Sequence, residues 1–162
     1  PWQCGEGGKG VLRNVRIGFS KFGFMVAALQ LLPNVFWVLF PPAQNVLTAN
    51  SSTVPVLEYG EHILGISIVI FLVFLVPRQE GAPVFGRFTA KLSLAAIALC
   101  WLGWVLYYIG IQHNALIYAM VVLPPIAFFL AGLAQRIRPI SVLSLVFLVF
   151  HFAVTLENFP LW

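Results

Sequence analysis

In a chain this apolar, chemistry must come from a handful of side chains. The residues whose types could hold a ligand or move a proton are Asn34, Glu61, His62, Tyr107, Tyr118 and His151. An imidazole exchanges protons near neutral pH, and a carboxylate accepts hydrogen bonds or carries charge. Amide and phenol groups both donate and accept. The run Glu58-Tyr59-Gly60-Glu61-His62 puts one Glu a helical turn from a second Glu and a His, and His151 could reach across from a distant segment. Imidazole and carboxylate are ligands for divalent metals, but no HExxH or CxxC spacing supports a site, so no metal is expected.

Other chemistries find less. No GxSxG motif, P-loop or dinucleotide-binding glycine pattern occurs, and no haem attachment motif. No catalytic residue is therefore assigned, and the residues name no cofactor. The five acids are all Glu, which excludes a paired-Asp site. The two cysteines, Cys4 and Cys100, fall in segments of different depth and give no disulfide framework.

The elements that must position these residues follow from composition. About 60% of the 162 residues are hydrophobic and 9% are charged, against roughly 25% charged in soluble domains. Such a chain belongs to the integral membrane class. The net charge of +4 does not point to nucleic acid, because the basic residues are not clustered among stacking aromatics.

Five segments approach the roughly 20 apolar residues that a bilayer crossing needs. They are Phe22–Phe40, Glu61–Val76, Leu92–Gly110, Ala115–Ala134 and Ile140–Leu156. The second is short and is expected to borrow a turn from Val56–Gly60. Lys9, Arg13, Arg16 and Lys21 precede the first span. Arg78, Arg87 and Lys91 lie between the second and third, and Arg136 and Arg138 between the fourth and fifth. The remaining loops carry no Lys or Arg. By the positive-inside rule the expectation is an all-α bundle of five transmembrane helices in the cell membrane, multi-pass, with the N-terminus cytoplasmic and the C-terminus outside.

Residues 1–21 read as a basic cytoplasmic segment and residues 22–162 as a single five-helix domain. Starting at Pro1, the chain is expected to be trimmed at its N-terminus, and its first residues to be polar and flexible. The rival reading of the first span is a cleaved signal peptide, but Gln30 and Asn34 interrupt its apolar run. Asn50-Ser51-Ser52 forms a glycosylation sequon on the expected outer face.

Residues at 3-4 spacing share a helix face, and small or polar stripes mark the seams along which membrane helices pack. One stripe runs Gly23, Ala27, Gln30, Asn34, Trp37; another Ser93, Ala96, Cys100, Gly103, Tyr107; a third Ser141, Ser144, Leu148, His151, Thr155. The fourth span shows only a partial stripe, and its Pro124-Pro125 pair should kink it. Pro33 should bend the first span and free the carbonyl near Leu29, leaving Asn34 on the inward stripe.

All three histidines and three of the five glutamates then fall toward the outside. The functional expectation is a small integral membrane protein that binds or moves a small molecule through an outward-facing polar pocket between helices. The alternatives are a scaffold or accessory subunit whose polar residues only join helices, and an enzyme using His and Glu at the outer face. The expected partners are the lipid bilayer, a small-molecule ligand, and a second copy or a partner membrane subunit.

Overall fold

The computed structural model describes residues 15–78 and 83–160. Cys4, Lys9 and Arg13 lie outside them. Five helices make up most of the described chain: α1 (Lys21–Leu39), α2 (Pro55–Phe74), α3 (Phe88–Tyr108), α4 (Asn114–Gln135) and α5 (Arg138–Asn158). Each is long and apolar enough to cross a membrane. A belt of exposed Leu, Ile, Val and Phe covers the bundle, including Val38, Ile63, Val105 and Val149.

The helices run alternately up and down. They form a ring in the order α1, α2, α5, α4, α3, and α4 also reaches every other helix. This central position explains why α4 shows no clear stripe in the sequence, since a helix buried on several faces is apolar nearly all round. Ile117, Val121, Pro125, Phe128 and Ala131 of α4 are all buried.

Alternation also sorts charge. Arg16, Lys21, Arg78, Arg87, Lys91, Arg136 and Arg138 gather at one end, here the basic end. The described carboxylates Glu58, Glu61 and Glu157 lie toward the other, the acidic end.

The basic end is closed by two short strands that sequence periodicity did not reveal, β1 (Val15–Ile17) and β2 (Leu75–Pro77). They pair antiparallel with Arg16 opposite Val76. Their ladder runs on into the helix ends, where Gly18 and Ser20 donate N–H groups to the carbonyls of Phe74 and Val73. The last carbonyls of a helix have no intrahelical donor, so this pairing satisfies the α2 terminus and ends it at Phe74. Ser20 caps α1 by accepting from Gly23 N at 3.0 Å, and its hydroxyl donates to Gln135 Oε1 of α4 at 2.6 Å. Arg87 donates to the Ala134 carbonyl near the C-terminus of α4, where a cation is favoured. Burial first, and the Arg136 guanidinium second, lower the Arg87 pKa below the ordinary guanidine value.

Two close approaches set the course of α1. A Cβ on Gly23 would lie 1.7 Å from the Leu72 carbonyl oxygen, so α1 and α2 touch backbone to backbone there. Further along, Pro33 lacks the N–H that Leu29 O would accept, and the Trp101 indole of α3 donates to that carbonyl at 2.8 Å. The freed carbonyl was legible in sequence; its partner was not. Beyond Pro33 most of α1 is exposed, at Asn34, Val35, Phe36, Val38 and Leu39, while Trp37 stays half-buried against Trp104, Tyr107 and Met120. The stripe of the first span faces inward at Gln30, Asn34 and Trp37, which all line the space between the helices.

Gly23→Ala should be strongly destabilising, because a backbone carbonyl cannot yield as a side chain can; the expected loss is about 3 kcal/mol, the upper range of overpacking. Gly86→Ala meets open space and serves as the neutral comparison. Thermal unfolding of both variants in mild detergent checks this.

Candidate functional site

The divergence of α1 from α2 opens a cavity of about 560 Å³ toward the acidic end, within the range of small-molecule pockets. Its walls come from every helix and from the loop between α1 and α2. Most of the lining is apolar, with Val69, Trp104, Met120, Val121, Phe128 and Phe147 prominent. Gln30, Asn34, Asn50, Glu61, His62 and His151 supply the polar groups.

The centre of the polar group is a pair from α2 and α5. Glu61 Oε1 meets His151 Nδ1 at 2.7 Å, with side-chain exposures of 16% and 20%. Opposite a carboxylate, Nδ1 carries a proton, which leaves Nε2 for another partner. Phe147, one turn before His151, stacks on the imidazole with ring centres 5.0 Å apart. The pair meets because α2 and α5 pack closely. Gly65 leaves room for the Phe147 ring, whose nearest atom would lie 3.5 Å from an added Cβ, and Phe150 crowds Gly60 still more tightly.

The helix boundary changes where these groups sit. The sequence pattern placed Glu61 and His62 at the start of the second span, at the mouth of a pocket. In the structure α2 begins at Pro55. Glu61 is thus six residues, or about 9 Å, into the helix at a rise near 1.5 Å per residue. Pro55 suits the first turn because its missing N–H and fixed φ cost nothing there. Glu58, in the same turn, accepts from Ser52 N at 2.7 Å. The mixed run Val56–Gly60 hid this extra helix, contributing more than the single borrowed turn expected.

Asn34 lines the cavity while remaining exposed. Its Nδ2 donates to Gln30 O of its own helix at 3.3 Å, leaving the carbonyl oxygen without a protein partner. His62 is at the wall, and its Nδ1 faces Glu58 O at 2.6 Å. The two tyrosines are not on the wall. Tyr107 donates to Asn45 Oδ1 at 2.9 Å and accepts from Leu47 N at 3.1 Å, pinning the α1–α2 loop to α3. Tyr118 donates to the Phe159 carbonyl at 2.6 Å, holding the segment after α5. Both are fasteners that close the acidic end around the cavity.

Among the described residues, no three His, Cys or Glu side chains come together to hold a metal ion. His151 reaches Glu61, but Glu58 faces the loop. Cys100 is buried, and Gln30 Nε2 donates to its sulfur at 3.4 Å.

Two wall residues were missed as candidates. Gln30 is 3% exposed, and its Oε1 is buried without a hydrogen-bond partner, as is Asn50 Oδ1. Gln30 stood on the α1 stripe beside Asn34, a signal that could have found it. Asn50 was legible only as a sequon, because its placement depends on how the loop folds back.

A buried acceptor without a partner costs roughly 1–3 kcal/mol. Gln30→Met, which keeps the length and removes the amide, should therefore raise stability by about 1 kcal/mol. A helix-joining role for Gln30 would instead lower it. The midpoint of thermal unfolding distinguishes the two. Compared with known protein families, curated proteins and solved structures, the chain matches none.

Proposed function

We propose that this chain is a five-span integral membrane protein of the cell membrane, with the basic end cytoplasmic, and that it binds a small molecule in the cavity beneath its acidic end. Positive charge at one end of alternating apolar helices supports the orientation. The Glu61–His151 pair carries the binding assignment. Ionisable groups well inside apolar helices are costly unless they serve a cavity or each other. This pair does both: it is mutually bonded and still partly open on the wall of a cavity large enough for a ligand. Groups that merely join helices would be expected closed in a seam, as Ser93 is where it donates to the Ala127 carbonyl.

The site works by recognition. The carboxylate orients the imidazole, Phe147 holds the ring flat, and the largely apolar lining lowers the local dielectric, which strengthens any polar contact made inside. No nucleophile is assigned, so no reaction is drawn.

Single cysteines at His151 and at Ser51, in a Cys4→Ser, Cys100→Ser background, test this reading. Intact cells would be treated from outside with a membrane-impermeant maleimide. Labelling at both positions is expected, with Arg138→Cys protected until the membrane is permeabilised. Protection at His151→Cys with labelling at Ser51→Cys would keep the orientation and remove the water-open pocket. Labelling at Arg138→Cys alone would invert the orientation.

A further inference from the structure

The cavity has a second opening, through its side. Three of its apolar lining residues are also exposed at the bundle surface: Leu31 of α1 at 42%, Ile66 of α2 at 61% and Ile70 of α2 at 47%. A residue that both lines a cavity and faces outward stands at a mouth, and these three lie along the gap between α1 and α2. The gap widens from the tight contact of Gly23 with Leu72 toward the departed end of α1 beyond Pro33. It faces sideways, into the belt of exposed Leu, Ile, Val and Phe, so in a bilayer it would open into lipid tails.

The polar groups inside are matched in sense. Asn34 Nδ2 donates to Gln30 O, and its Oδ1 is an acceptor without a partner among the described residues. Glu61 uses one carboxylate oxygen on His151, which leaves the second. In its neutral form, with the proton on Nδ1 toward Glu61, His151 presents Nε2 as an acceptor. Three acceptors line the cavity, Asn34 on the α1 side and Glu61 and His151 on the α2–α5 side, and a ligand that satisfies them must bring donors. The rest of the lining is apolar and continues to the side mouth.

We infer that the ligand is a bilayer-resident amphiphile: a head bearing hydroxyl or ammonium donors set against Asn34, Glu61 and His151, and an apolar chain leaving between α1 and α2 past Leu31, Ile66 and Ile70. The inference rests on the binding role proposed above and names its ligand class. Access is from the membrane, between two helices that touch at one end only.

The test uses the full chain in lipid nanodiscs with two photoactivatable probes. One is a long-chain alcohol carrying a diazirine in its chain; the other is its methyl ether, which lacks the donor. Crosslinked peptides are mapped by mass spectrometry, with the outer face of α3 around Leu102 and Val105 as the lipid background. Cavity peptides from α1 and α2 should capture the alcohol over the ether by roughly tenfold, the worth of about one well-made hydrogen bond. Asn34→Leu should bring the two probes near parity. Ile66→Trp should reduce capture of both in the cavity while leaving the α3 background unchanged. Both substitutions are at exposed positions, so the fold should be retained.

Equal capture of alcohol and ether by the unmodified chain would overturn head-group recognition. Capture no greater than the α3 background would overturn a lipid occupant altogether. If that occurs while His151→Cys is labelled by the aqueous maleimide, the binding role stands with a water-borne ligand. If both fail, the cavity is not a ligand site. A dimer whose contact covers the α1–α2 mouth, seen as crosslinks between copies at Ile66, would also overturn the inference.

Discussion

The contact between Gly23 and the Leu72 carbonyl determines more of this molecule than any other. Only a residue without a side chain lets α1 come so close to α2, and closeness at that point fixes the angle at which the two helices part. The cavity, its side mouth and the exposure of Asn34 all follow from that angle. Between helices already surrounded by apolar solvent there is no hydrophobic gain in association, so such close approaches, with interhelical hydrogen bonds, must hold the bundle. Ser20 to Gln135 and Trp101 to Leu29 are bonds of this second kind, and both anchor α1.

The two halves of α1 consequently have different characters. The basic half is held by a cap, a strand pair and a glycine contact. The acidic half is held by the Trp101 indole bond, by Tyr108 donating to the Phe40 carbonyl, and by the loop that Tyr107, Trp37 and Asn45 pin down. Glu61 and His151 belong to the more closely packed side: they sit on α2 and α5, which Phe147 over Gly65 and Phe150 over Gly60 bring together. Only Asn34 lies on the looser wall.

Much of this arrangement could be read from the chain. Hydropathy alone located the five helices, and the stripes of α3 and α5 matched the buried seams because one face of each meets a neighbour. Ser93, Cys100, Tyr107, Ser144 and Thr155 are all buried. The stripe of α1 turns Gln30, Asn34 and Trp37 to the cavity, but spacing describes a face and not how closely anything packs against it. The start of α2 was legible in part, since the second span needed a turn from Val56–Gly60 to reach full length, and Pro55 is the local signal for the boundary itself. The strand pair was invisible, being three residues long on each side and made by backbone groups. Tyr107 and Tyr118 shared polarity and depth with the site, but their direction depends on loops whose course the sequence does not encode locally.

One mechanical consequence follows from how α1 is held. It is a lever clamped at its foot and tied at its tip by single hydrogen bonds, from Tyr108 to the Phe40 carbonyl and from Trp37 to Asn45. From Gly23 to Leu39 is sixteen residues, an arm of about 24 Å at the usual helical rise, so a swing of about 10° about the foot carries the tip through about 4 Å. That travel is close to the thickness of one hydrocarbon chain, and very little strain at the clamp would separate a narrow slot from one wide enough to let such a chain slide through.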